Sequence, residues 1–100
     1  MDVAALHALV DEYGKRWRLA GVWWRLVDKQ GPDWWAACLD LSVADRAGQL
    51  VLWGLGDVDV FWSLDLEHLE MRHRSAEDVA MLRDCLAKLE GALRVQVGPH

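Results

Sequence analysis

Apolar residues recur three and then four positions apart at Val3, Leu6, Val10, Tyr13 and Trp17, which sets them in one stripe along a helix. Gly14 weakens the last turn of that stripe. Val79, Leu82, Leu86, Leu89 and Leu93 repeat the same spacing near the other end of the chain and predict a second helix. Ser75 followed by Asp78 resembles a capping box at its start, and Gly91 marks its end. Between the helices the period changes to two. Runs over about 20–28, 34–43, 49–53 and 57–66 alternate as strands do, and they are parted by Gln30-Gly31-Pro32-Asp33, Ala44-Asp45-Arg46-Ala47-Gly48 and Gly54-Leu55-Gly56.

The third of these turns fixes which residues share a face. A two-residue loop, Leu55-Gly56, would set Leu50 and Leu52 on the side of Asp57 and Asp59. A three-residue loop, with Gly56 in the left-handed position of a bulge, instead gathers Leu50, Leu52, Val58, Val60, Trp62 and Leu64. The opposite side then holds Gln49, Val51, Trp53, Asp57, Asp59, Phe61, Ser63 and Asp65. Similar sorting turns Trp35, Ala37, Leu39, Leu41 and Val43 inward and Trp34, Ala36, Cys38, Asp40 and Ser42 outward. In the first strand Val22, Trp24 and Leu26 face inward, leaving Trp23, Arg25 and Val27 outside. The expected fold is α+β: a meander of four antiparallel strands with both helices on one face, in the order α-β-β-β-β-α.

This sorting gives meaning to the seven tryptophans, Trp17, Trp23, Trp24, Trp34, Trp35, Trp53 and Trp62. Neighbours on a strand point to opposite faces, so the pairs Trp23-Trp24 and Trp34-Trp35 cannot both enter one core. Some indoles must line a second surface. Large aromatics interleaved with acids suit recognition better than catalysis, and the candidate partner-binding set is Trp23, Arg25, Trp34, Trp53, Asp57, Asp59, Phe61 and Asp65, with Asp40 among them. The alternatives are a helix lying across this face, or tryptophans that only stabilise the sheet through cross-strand pairs.

One hundred residues make a single domain, expected to bury roughly two-thirds of its unfolded surface. The 16 Asp and Glu against 11 Lys and Arg give a net charge of -5, which repels a phosphate backbone and attracts a basic partner. Cys38 and Cys85 lack metal or redox spacing and favour a reduced, cytoplasmic setting. Met1-Asp2-Val3 opens without the basic region of a signal peptide, and no run approaches the ~20 apolar residues of a membrane helix. His7, His68, His73 and His100 form no i, i+4 pair for a metal. His68 and His73 fall in the charged stretch Glu67–Arg74, which reads as a solvated loop. Asp57 and Asp59 could serve as an acid–base pair only if burial separated their pKa values. Neither an enzyme nor a cofactor is expected.

The run Gly48-Gln49-Leu50-Val51-Leu52-Trp53-Gly54-Leu55-Gly56-Asp57-Val58-Asp59-Val60, followed by a polar stretch and an amphipathic helix, resembles the TriTu family of bacterial immunity proteins, which belong to polymorphic toxin systems. The resemblance covers residues 40–93. Its matching features are a strand ending in Trp53, a three-residue turn closing on Gly56, and a strand opening with Asp57. It implies a small cytoplasmic protein that neutralises a cognate toxin domain by occlusion, with no catalytic residue. The residues alone leave two other readings open: a small-ligand module in which Trp23, Trp34 and Trp53 line a pocket for a sugar or cationic group, and a homodimer joined through the same face.

Overall fold

The computed structural model describes residues 3–65 and 68–95. Helix α1 (Val3–Leu19) is followed by strands β1 (Trp23–Gln30), β2 (Trp35–Val43), β3 (Arg46–Trp53), β4 (Asp57–Ser63) and β5 (Glu70–Ser75), and then by α2 (Val79–Ala92). The strands form one antiparallel sheet in the order β1-β2-β3-β4-β5, so the sheet is a meander with five strands rather than four. The stretch read as a solvated loop supplies the fifth strand. Glu70 to Ser75 pair in register with Trp62 to Asp57, yet their side chains are mostly exposed. An edge strand buried on neither face needs no apolar alternation, which is the signal that would have announced it. The ends of the expected 57–66 run and of the 67–74 loop, Leu66 and Glu67, lie outside the described residues, as do Met1, Asp2 and His100.

Both helices pack on one face. Leu39, Leu41, Leu50, Leu52, Val58 and Val60 of the sheet meet Leu6, Leu9, Val10, Tyr13 and Trp17 of α1 and Leu82, Leu86, Leu89 and Leu93, on or just past α2, in one core. Gly14 sits against the Trp24 ring, where an added Cβ would lie 3.0 Å from it. The residue that weakens the helix thus makes room for an indole, and α1 runs on past it to Leu19. Gly48 does the same for α2, since a Cβ there would come within 2.7 Å of Leu89 and 3.0 Å of the Phe61 carbonyl.

The β3–β4 turn takes the three-residue form. Leu52 pairs with Val58, Gly56 has φ +93, and the Gly56 N–H donates to the Trp53 carbonyl at 2.9 Å. Elsewhere the local signals shift by a few residues. The β2–β3 turn contracts to Ala44-Asp45, with Ala44 at φ +54, so Arg46-Ala47-Gly48 joins β3. Trp34 leaves its expected strand for the β1–β2 turn, and residues 20 and 21 form the exit from α1. Leu64 lies beyond β4 and is partly exposed rather than in the core. Asp78, rather than Ser75, caps α2 by accepting from the Met81 N–H at 2.9 Å, while Ser75 closes β5. The left-handed residue after α2 is Arg94, and Gly91 lies inside the helix.

One buried polar group joins the helices. Glu90 of α2 is 5% exposed and accepts from the Trp17 Nε1–H at 2.7 Å and from Arg16, both on α1. Replacing Glu90 by Ala leaves the Trp17 N–H without its acceptor and should lower unfolding stability by about 2–3 kcal/mol. A urea titration would check this. A midpoint unchanged from wild type would show that the tie contributes nothing net.

Candidate functional site

Among the described residues, the second face of the sheet carries no helix. Its rows follow from the register. Val27, Cys38, Val51, Asp59 and His73 form one, and Arg25, Asp40, Gln49, Phe61 and Met71 form the next. Small side chains occupy the middle, where Ala36, Cys38 and Val51 are buried with Phe61 packed against them. Large side chains stand around them. Trp23 is 55% exposed, Trp34 49% and Trp53 38%, and Leu55 at the tip of the β3–β4 turn is 96% exposed.

The expected site residues separate into two groups. Trp53, Trp34, Asp57 and Asp59 converge at the corner made by the β1–β2 and β3–β4 turns. The Trp34 and Trp53 rings lie 6.3 Å apart and tilted by 55°. Trp53 is anchored by its Nε1–H, which donates to Asp59 Oδ2 at 2.9 Å. Asp59 Oδ1 is 2.6 Å from His73 Nδ1, and His73 Nε2 is 3.6 Å from Asp57 Oδ1. Trp23 and Arg25 belong to the far end of β1. Trp23 pairs with Ser42, whereas Trp53 pairs with Ala36, and those two β2 positions are about 20 Å apart at strand rise. There Arg25 lies 5.9 Å from the Trp23 ring and donates to Asp40, which also accepts from Gln49.

Phe61 bridges the two groups from the middle of the face, whereas Asp65 sits beyond the end of β4. Asp65 accepts from the His68 N–H at 2.8 Å and is tied to Ser63, so it orders its own bend. The Trp23, Trp34 and Trp53 pocket imagined from the sequence does not form. The third indole at the corner is Trp35. A cavity of about 330 Å³ there is lined by Asp33, Trp34, Trp35, Trp53, Gly54, Leu55 and Asp57. His73 and Trp35 are the members of this corner that the sequence did not point to. His73 lies in a strand with no alternation to reveal its partners, and Trp35 reads as an inward-facing strand residue.

A larger cleft of about 570 Å³ opens on the helix-bearing side, where β5 extends past α2; Trp62, Arg72, Arg74, Cys85 and Lys88 line it. Two of its cations are already engaged, because Asp84 lies 2.7 Å from Arg74 and 3.1 Å from Lys88. Among the described residues no group of three or more His, Cys, Asp or Glu could hold a metal ion, and no helix is long and apolar enough to cross a membrane. Cys38 and Cys85 are both free and buried, on opposite sides of the sheet, and burial pushes both thiols up. No family model, curated protein or solved structure matches the chain.

The His73–Asp59 pair makes a pH-dependent tie between β5 and β4. The hydrogen bond to Asp59, and then the charges of Asp59 and Asp57, hold the His73 pKa above its ordinary 6.5. The same bond, assisted by the Trp53 N–H, holds Asp59 below its ordinary 3.8. The contribution of His73 is therefore complete below about pH 6.5 and fades as pH rises through its raised value. That of Asp59 is complete above about pH 4 and fades as pH falls through its lowered value. His73 is exposed and Asp59 only partly buried, so the effect should be small. Urea midpoints measured from acid to alkaline pH should decline on both sides of that window, and His73→Gln should flatten the alkaline limb.

Proposed function

We propose that this protein is a bacterial immunity protein, which binds a cognate toxin domain through the open face of its sheet and blocks that domain by occlusion in the cytoplasm. The observation that carries the reading is the uncovered corner where exposed Trp34, Trp53 and Leu55 stand beside Asp57 and Asp59. Exposed aromatics on a rigid sheet are the residue types that dominate interface energetics, and carboxylates around them steer a basic partner into place. The net charge of -5 adds a long-range pull of the same sign. The resemblance of residues 40–93 to TriTu immunity proteins supplies the biological role, and occlusion requires no catalytic group.

Trp34 and Trp53 are the central anchors in this account, with Phe61 and Asp40 extending the contact toward Arg25 and Trp23. Asp57 and Asp59 contribute differently. Asp57 is half exposed and available to a partner, whereas Asp59 is already bonded to Trp53 and His73 and acts by fixing the indole.

The test is co-expression with the C-terminal domain encoded by the upstream neighbouring gene, once that domain is shown to be toxic, followed by purification through one tag and a growth assay. The expected result is a stoichiometric complex and rescued growth. Trp34→Ala and Trp53→Ala should each weaken the complex about 30-fold or more, the scale of an interface anchor, while circular dichroism shows a folded protein. Variants that protect as well as the wild type would remove this face from the interaction. A homodimer through the same face would appear in sedimentation of the isolated protein.

A further inference from the structure

The corner pocket has a chemistry of its own. Its walls are the indoles of Trp34, Trp35 and Trp53 and its charged groups are Asp33 and Asp57; among the described residues no lysine or arginine lines it. Lys29, the nearest permanent cation in the register, is set off from Trp53 by Ala36, and His73, whose charge depends on pH, lies 3.6 Å from Asp57 Oδ1. At about 330 Å³ the cavity lies at the small end of ligand sites, which run from about 300 to 1,000 Å³, and it has room for one side chain rather than a bulky cofactor.

The walls are built in place. Trp34 lies over Gly31 so closely that a Cβ on that glycine would fall 2.1 Å from its Nε1, and Trp35 lies 2.7 Å from the position of a Cβ on Gly54. The Gly31 N–H donates to the Trp34 carbonyl and the Gly54 N–H to the Trp35 carbonyl, so both turns are closed against the tryptophans they accommodate. Trp53 is held by Asp59. Three indole rings and two aspartates around one small cavity match a planar cation, which is attracted by ring quadrupoles and can hydrogen-bond to acids at its edge. Guanidinium meets both demands better than ammonium, since it is planar, weakly hydrated and carries five donors in a fixed fork.

We infer that this pocket binds the guanidinium of an arginine side chain presented by the partner protein. The inference rests on the open-face binding reading for its source of arginine, but its chemistry is testable on the protein alone. Asp33 and Asp57 flank the cation, the indoles stack on it, and Leu55 covers the aliphatic stem.

The experiment is a titration of the ¹⁵N-labelled protein with N-acetyl-arginine amide, followed through the seven indole N–H signals. N-acetyl-citrulline amide serves as the neutral counterpart and N-acetyl-lysine amide as the ammonium one. The signals of Trp34, Trp35 and Trp53 should shift and saturate with a dissociation constant of about 1–10 mM, the range expected for a fragment of this size. Trp23, more exposed than Trp34 or Trp53 and outside the pocket, should stay still. The double variant Asp33→Asn, Asp57→Asn should weaken binding at least fivefold while keeping the wild-type spectrum elsewhere. The inference is overturned if citrulline shifts the same indoles as strongly, if Trp23 moves with them, if the double variant binds as well, or if the lysine probe binds as tightly. Because no toxin is present, a negative result here leaves the co-expression result standing, and a failed toxin pairing leaves this one standing.

Discussion

The placement of both helices on one side of the sheet shapes the rest of this molecule, and a buried carboxylate joins them, with Arg83 of α2 donating to Glu12 of α1 at the surface. Glu90 is buried at the contact of α1 and α2, receives the Trp17 indole N–H and meets the Arg16 guanidinium. A charge taken out of water is tolerated only when its lone pairs are used, so the pairing fixes where the two helices lie relative to each other. Trp17 in turn packs against Tyr13 and Trp24, which carries the constraint from the helix pair into the first strand. With both helices committed to one side, the opposite side of the sheet keeps its aromatic and acidic residues in solvent.

Glycine placement carries the same logic into the site. Gly14 and Gly48 let α1 and α2 approach the sheet, Gly31 lets Trp34 fold over its own turn, and Gly54 lets Trp35 lie against the β3–β4 turn. In each case the missing Cβ is occupied by a neighbouring side chain. Trp34 is thus seated by Gly31 and Trp53 by its bond to Asp59, which lowers the ordering cost that a loose aromatic would incur on binding.

Much of this architecture was legible because burial imposes a period. Both helices, the paired faces of β2, β3 and β4, and the three-residue turn at Gly54-Leu55-Gly56 follow from apolar spacing and turn chemistry. The features that escaped have no such imprint. Strand β5 is held by backbone pairing at an exposed edge, and Glu70-Met71-Arg72-His73-Arg74 reads as loop because neither of its faces is buried. Trp34 shows why adjacency in sequence misleads: it alternates with Trp35 as a strand residue would, but Gly31 and Pro32 bend the chain so that it belongs to the turn. Trp23, similar in type and exposure, ends about 20 Å from Trp53 because meander strands carry residues to opposite ends of the sheet. Which tryptophans meet is a matter of register, and register depends on loop lengths that propensity locates only to within a few residues.

The register of β5 also sets the charge of the open face. Asp59 pairs with His73 and Asp57 with Ser75, while Arg72 and Arg74 pair with Val60 and Val58 and so point to the other side. A slip of one residue would exchange them and set arginines directly across from both acids. The observed register sends those cations to the cleft beside α2, where Asp84 meets Arg74. Charged residues pointing to the helix-bearing side of an edge strand also deter pairing with another sheet, so the same pair guards the edge of β5. The acids at the Trp53 corner are left with a histidine, whose charge is conditional on pH, rather than with a permanent cation. Their field remains directed outward, where a basic surface would meet it first.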